Sequence, residues 1–315
     1  MTQPAATQID VVTGAFSYSG AAIARELHAA GHRVRTLTGH PGSAPAGSDI
    51  DARPLDFTDP AGLAESMQGA HTLYNTYWVR FPHGSVDHQV AVDNSRVLFE
   101  AAQRAGVRRI VHTSITNPSP DSPYPYFRGK AAVERILAGT GVPYAIARPA
   151  ILFGGDGVLV NNIAWLLRRV PVFAIGGRGE YRVRGIHVDD LARLYVTLGA
   201  GDDTVTLDAV GPQSVTFREM VDAIRAAVGS HAVVVGAPAP VLFSLSSVLG
   251  AALRDTLLTR EEYRAMADGL ADSAAPATGE TVFTEWVAAH GADLGRAYAN
   301  ELDRHFRRAR PARAA

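Results

Sequence analysis

Cysteine is absent from the 315 residues. Disulfides, cysteine-based zinc sites and thiol catalysis are excluded with it. An excess of either charge is also lacking: 30 Lys and Arg face 31 Asp and Glu, a formal net charge of -1. No overall pull toward nucleic acid is expected from that balance. No apolar run reaches the ~18 to 20 residues that span a bilayer. Ala237 to Leu253 comes nearest, but Pro238, Pro240, three serines and Gly250 interrupt it. It reads as a buried or pocket-lining segment, with interfacial membrane contact as the alternative. The first residues carry no basic stretch leading into an apolar core, so no secretory signal is expected. A soluble, cytoplasmic protein without a membrane span is the expectation. There is no internal repeat of ~20 to 50 residues. No Gly-x-Ser-x-Gly elbow supports a serine hydrolase, and no Gly-Lys-Ser/Thr supports a Walker loop.

What is present is alternation. The chain is 47% hydrophobic and 19% charged, as globular domains are. Apolar runs at Ile9-Thr13, His32-Thr38, His71-Asn75, Arg109-Ser114 and Pro143-Arg148 read as strands. Helical patterns at Ser19-Ala30, Ala61-Met67, Val86-Ala105 and Tyr126-Ala138 lie between them, and Gly42 to Pro54 reads as a loop. This rhythm predicts an α/β fold, a doubly wound parallel Rossmann sheet. After residue 150 the segments lengthen and helices dominate, which predicts a smaller, mainly helical C-terminal substrate lobe. The expected division is a dinucleotide-binding domain at 1–150 plus about 186–200, a lobe at 151–185 and 201–305, and a basic tail at 306–315. His187-Val188-Asp189-Asp190 reads as a strand feeding a helix through acidic residues.

The turn Thr13-Gly14-Ala15-Phe16-Ser17-Tyr18-Ser19-Gly20 follows the first strand and opens a helix. Such a turn needs glycine for tightness, for close approach of phosphate and for helix–strand packing. Gly14 and Gly20 take the outer places. Ser17 takes the middle one, where a small hydroxyl can donate to a phosphate. The helix N-terminus then offers N–H groups and a positive dipole end to a pyrophosphate. The second strand ends Arg35-Thr36-Leu37-Thr38-Gly39-His40, with no acid for the ribose 2′-OH of NAD. Small Thr38 and Gly39 leave room for a 2′-phosphate, with His40 or Arg35 as helpers. NADP is therefore the expected cofactor, and NAD the alternative. Asp56 and Phe57 are placed to hold the adenine.

Tyr126 and Lys130 stand four apart on one helix face. An ammonium beside a phenol favours phenolate, which suits proton transfer near neutral pH. Ser114 lies at the C-terminal end of the preceding strand, where open α/β sheets put their ligands, and can polarise a carbonyl. Thr113 and Thr116 are alternatives to it. Lys130 can also hold the nicotinamide ribose.

These stretches resemble the short-chain dehydrogenase/reductase superfamily, and more closely its extended and atypical members. Those are the NAD-dependent epimerase/dehydratase-like, NmrA-like and NDUFA9-like proteins. The matching residues are Val12 to Gly20, Leu55-Asp56-Phe57, Tyr74-Asn75-Thr76, Arg109 to Ser114, Tyr126 to Lys130, Ala147-Arg148-Pro149 and His187 to Asp190. The resemblance implies a Ser/Tyr/Lys triad of Ser114, Tyr126 and Lys130. It also implies a cofactor site of Gly14, Phe16, Ser17, Tyr18, Gly20, Thr38, His40, Asp56, Phe57, Asn75, Thr76, Lys130 and Pro149. Ser17 in the middle place fits the atypical members.

A substrate pocket is expected from Tyr77, Trp78, Asn117, Phe153 and Asn162, with Arg80, Phe81, Asn161, Trp165 and Tyr181 as further candidates. Aromatics with a few amides suit a hydrophobic carbonyl or alcohol. Arg148 is expected to order the sheet edge and the cofactor rather than touch substrate. His83, Asp87 and His88 lack a third sequence-near ligand, so no metal is expected. The leading function is an NAD(P)H-dependent oxidoreductase of ketoreductase type, working as a monomer or homodimer. The alternatives are an epimerase or dehydratase with retained cofactor, and an NmrA-like cofactor sensor without turnover.

Overall fold

The computed structural model describes residues 8–82 and 84–300. In chain order the elements are β1 (Ile9–Thr13), α1 (Tyr18–Ala29), β2 (Arg33–Thr38), β3 (Asp51–Pro54), α2 (Pro60–Met67), β4 (Thr72–Asn75), α3 (His88–Arg104), β5 (Arg109–Thr113), α4 (Pro125–Ala138) and β6 (Tyr144–Pro149). There follow β7 (Ile151–Phe153), α5 (Val158–Leu167), β8 (Val172–Gly176), β9 (Arg182–Val183), β10 (Gly185–His187), α6 (Val188–Ala200) and β11 (Val205–Ala209). The last are β12 (Val215–Thr216), α7 (Phe217–Ala227), β13 (Val233–Ala237), α8 (Ala239–Leu253), α9 (Arg260–Ala267) and α10 (Phe283–His290).

The chain divides into two compact units, Met1–Pro149 with Asp189–Asp208, and Ala150–Val188 with Ala209–Ala315. The first holds a seven-stranded sheet of order β11-β6-β5-β4-β1-β2-β3. The pairs from β3 to β6 are all parallel. Every residue of β4 is buried, as expected of a strand covered by helices on both faces. Helix α3 buries Ala91, Val92, Ser95, Leu98, Phe99 and Ala102, spaced along one face. Asp87 accepts from the Val90 N–H at its start, 2.9 Å, and Asp59 accepts from the Gly62 N–H ahead of α2. This is the doubly wound Rossmann sheet that the alternation implies.

One boundary differs from the sequence reading. The stretch from Gly42 to Pro54 is not all loop, because Asp51–Pro54 pairs with β2 as the edge strand β3. Its short polar sequence hides it, and its proline is tolerated because it lies on an edge.

The second unit is built of three two-stranded ladders with helices. β7 and β10 pair parallel, β8 and β13 pair parallel, and β9 and β12 pair antiparallel. Its core contains Phe153, Val160, Ile163, Met220, Val221, Ile224, Phe283 and Val287. Helix α7 opens with a reciprocal capping box between Thr216 and Glu219, and α9 with one between Thr259 and Glu262. The segment Ala237 to Leu253, read from sequence as buried or pocket-lining, is largely exposed. Only Leu242 and Gly250 of α8 are buried. Residues 301–315, including the basic tail, lie outside the described residues.

Candidate active site

The strand order reverses between β1 and β4, which is where doubly wound sheets bind ligands. Three polar side chains lock the two strand ends together. The Thr13 hydroxyl donates to Asn75 Oδ1 at 3.2 Å and accepts from the Thr76 N–H at 2.7 Å. The Thr76 hydroxyl donates to the Thr13 carbonyl at 2.6 Å. Asn75 is fully buried. Its Oδ1 also accepts from the Tyr77 N–H, and its Nδ2 donates to His112 Nδ1 at 3.0 Å. Its side chain therefore serves the framework.

The turn fits a dinucleotide. Gly14 has φ +68, a left-handed conformation that favours glycine. A Cβ at Gly20 would lie 2.1 Å from the Gly14 carbonyl oxygen, so helix α1 packs against the turn only through glycine. The Ser17 N–H and hydroxyl both donate to the Gly14 carbonyl, at 2.8 Å and 2.6 Å. Ser17 is exposed, with Phe16 and Tyr18 half-buried beside it, and α1 begins at Tyr18. Thr36, which sequence reasoning passed over, fixes the turn from β2. Its hydroxyl donates to the Val12 carbonyl and accepts from the Ala15 N–H, both at 2.9 Å.

Beyond β2, Thr38 is half-buried and accepts from the His40 N–H at 3.2 Å, and His40 is exposed. Arg35 is held elsewhere. Its Nε donates to Asp51 and its Nη1 to the Ser66 and Gln68 carbonyls. Of the two helpers weighed for a 2′-phosphate, His40 is the one with exposed surface. Asp56 is exposed and accepts from the Thr58 N–H and hydroxyl, which hold its carboxyl below its ordinary value. Phe57 packs on Tyr77, ring centroids 4.8 Å apart, and Asn94 donates to the Tyr77 hydroxyl.

Helix α4 carries the second half of the site. Proline at its first position sets its start. Tyr126 therefore sits in the first turn and Lys130 in the second, with Glu134 a turn further on. Lys130 is 2% exposed, and its ammonium donates to the Thr113 carbonyl at 2.8 Å. The same ammonium lies 4.4 Å from the Trp78 ring centroid. Burial pushes Lys130 down to about 7, and the Glu134 carboxylate opposes that. Trp78 seats on Gly129, where a Cβ would come within 2.9 Å of its ring. It stacks on His88 at 6.0 Å, and both rings meet the Tyr126 ring edge-on.

Ser114 is buried at the end of β5. Its hydroxyl donates to Glu134 Oε1 at 2.5 Å, and Arg148 grips the same carboxylate with two N–H groups, at 2.9 Å and 2.6 Å. The Ser114 proton is thus committed to Glu134 and not aimed at a carbonyl. Of its alternatives, Thr113 accepts from the Tyr195 hydroxyl at 2.6 Å. Thr116 is fully buried, with its N–H on the carbonyl of buried Pro149. Glu134 and Tyr195 were missed in the sequence. Glu134 had a readable signal, because it continues the spacing of Tyr126 and Lys130 along one helix face.

Asn117 is exposed with φ +53. Phe153 is fully buried in the second unit's core, its ring edged by His187, Phe283 and Trp286. Asn162 spends its amide on the Ala299 backbone, donating at 2.8 Å and accepting at 3.0 Å. Of the residues weighed as a metal set, His83 lies outside the described residues, Asp87 caps α3, and His88 stacks on Trp78.

Residues 14–163 match the NAD(P)H-binding family. The chain is 23% identical over 211 residues to the mitochondrial 40 kDa subunit of NADH-ubiquinone oxidoreductase of Neurospora crassa, covering 66% of this chain and 55% of that protein. It is 32% identical over 168 residues to sterol demethylase protein B of Methylococcus capsulatus, covering 46% and 51%. The chain spans about half the length of these curated relatives. Among solved structures it superposes on the Citrobacter sp. triphenylmethane reductase complexed with NADP(H), TM-score 0.71 at 20% identity, covering 90% of this chain and 99% of that one. That likeness is one of fold. Together with the parallel sheet and its turn, the family match marks residues 14–163 as an NAD(P)H-binding domain.

Proposed function

We propose that this chain is an NAD(P)H-dependent oxidoreductase that reduces a ketone, or oxidises a secondary alcohol, on a hydrophobic small molecule. The observation that carries this reading is the buried ammonium of Lys130, one helical turn from Tyr126. Gly14, Ser17, Gly20 and the start of α1 would hold the pyrophosphate, and Thr38 and His40 the adenosine end. A bound nicotinamide supplies the hydride. The Tyr126 hydroxyl gives the proton to the carbonyl oxygen, or takes it from the alcohol. Lys130, fixed by the Thr113 carbonyl, favours the phenolate that remains. Trp78 and His88 hold the Tyr126 ring. Ser114 reaches substrate only by leaving Glu134, so its part is smaller than the triad of the resemblance implies.

NADP is preferred over NAD in this reading, because β2 ends without an acid and leaves His40 exposed. The partner is a small molecule. Epimerisation with a retained cofactor is the second reading, because a transient ketone formed and re-reduced on the nicotinamide could use the same Tyr126 and Lys130. The test is titration of the purified chain with NADPH and NADH, followed by turnover on a panel of aromatic and aliphatic ketones. NADPH binding with turnover on a hydrophobic ketone supports the proposal. Tight binding without turnover on any of them would make the protein a cofactor sensor instead. Tighter NADH binding would reverse the cofactor preference.

A further inference from the structure

Lys130 is the one lysine of the chain; the other 29 of its 30 long basic side chains are arginine. The exception stands where the two residues differ most. A guanidinium stays charged wherever it is placed, whereas a compact ammonium can be buried and can give up its proton. Lys130 is 2% exposed, so its charge has lost water and depends on what encloses it.

The groups around it can be taken element by element. From β5, the Thr113 carbonyl accepts from the ammonium at 2.8 Å, its one hydrogen-bond acceptor among the described residues. The Thr113 hydroxyl is occupied by Tyr195 of α6. His112, on the same strand, is fully buried. Burial, and after it Lys130 itself, push His112 well below its ordinary value, so it stays neutral. From α4, the Glu134 carboxylate favours the charged lysine. That carboxylate is already spent on Ser114 and on two N–H groups of Arg148 from β6, whose positive charge offsets it. His88 of α3 stacks on the Trp78 ring. What remains for the ammonium is the face of that ring, with Nζ 4.4 Å from its centroid.

The polar end of Trp78 does not explain an indole here. Its Nε1–H is buried and has no hydrogen-bond partner among the described residues, which costs free energy. The ring face does explain it, because tryptophan attracts a cation best, and most strongly where water is excluded. Gly129 makes the approach possible, since a Cβ there would come within 2.9 Å of the ring. Adjacent residues of α4 thus supply the seat for the indole and the cation it meets. The ring also touches Tyr126 edge-on, centroids 5.6 Å apart.

We propose that Trp78, expected from sequence to line a substrate pocket, is instead a positioning residue whose ring face holds Lys130 as an ammonium beside Tyr126. This deepens the oxidoreductase reading and rests on it for its kinetic consequence alone. The test uses the single lysine. Carbon-13 at lysine Cε gives one signal, that of Lys130, and its pH titration follows the ammonium without substrate or cofactor. Monofluorinated and then difluorinated tryptophan, put in place of all three tryptophans, weakens the ring face while keeping its shape. The midpoint, about 7 in wild type, should fall with each fluorine, by about half a pH unit in all. Trp78→Leu removes the face and should lower the midpoint by about one pH unit. That shift lowers kcat at pH 7 about fivefold, with KM within about twofold. The fluorinated chain still reads the contact should Trp78→Leu not fold. A midpoint that ignores fluorination would overturn the proposal, and so would a Trp78→Leu chain that loses only in KM. A fluorine-dependent midpoint in a chain that turns over no ketone would uphold the contact and fail the oxidoreductase reading alone.

Discussion

The two units treat polar and apolar side chains in opposite ways. The first hides chemistry inside: Asn75, His112, Ser114 and Lys130 are all nearly or fully buried. Their hydrogen bonds run to one another, to strand ends and to Glu134 of α4. The second leaves apolar side chains outside, and it spends Asn161, Asn162 and Arg168 on pinning the backbone of residues 291–299. The difference is one of rigidity. Buried hydrogen bonds hold their side chains to one geometry, as proton transfer requires. An exposed apolar surface needs only to be present.

The largest break in this contrast comes from Gly20→Val. Its Cβ would meet the Gly14 carbonyl at 2.1 Å, backbone against backbone, with nothing flexible to yield. We expect NADPH affinity to fall by about 100-fold or more, with a destabilisation of about 3 kcal/mol or more. Calorimetric titration and thermal unfolding read both, and a wild-type affinity would show that the turn does not hold the cofactor. Next is Glu134→Ala, which strands the Arg148 guanidinium and the buried Ser114 hydroxyl. A loss of about 2 to 3 kcal/mol is expected in urea unfolding. A loss below about 0.5 kcal/mol would mean that the network is decorative.

Much of this was legible in the sequence. The parallel strands, the Gly14–Gly20 turn and the Tyr126–Lys130 spacing follow from local pattern alone. The rest depends on contacts between residues far apart in the chain. Edge strand β3 could not be read because Asp51-Ala52-Arg53-Pro54 lacks an apolar run. Phe153 and Asn162 looked like pocket residues because aromatic and amide side chains suit ligands, but packing partners more than a hundred residues away claim them. The commitment of Arg35 to Asp51, Ser66 and Gln68 was invisible for the same reason.

Smaller effects sharpen the comparison. Gly129→Ala puts a Cβ 2.9 Å from the Trp78 ring. The indole must shift, at a cost of about 1 to 2 kcal/mol. Near-ultraviolet circular dichroism should change with it, and an unchanged spectrum would mean that Trp78 does not rest on α4. The pH dependence of stability is subtler. Burial holds Lys130 down to about 7 in the folded chain, against 10.5 as its ordinary value. Between those values the unfolded chain binds more protons, so this group makes stability rise with pH across that window. Below it, the full cost of the buried charge is present. Lys130→Met should flatten that rise in urea midpoints, and identical slopes would contradict a buried ammonium.

The most direct measurement is kcat/KM of Tyr126→Phe beside wild type on the same ketone with NADPH, with the dissociation constant of NADPH measured for both. The expected result is a loss of about 100- to 10,000-fold in kcat/KM with cofactor affinity unchanged within about twofold. Turnover that survives the loss of the hydroxyl would contradict proton transfer by Tyr126.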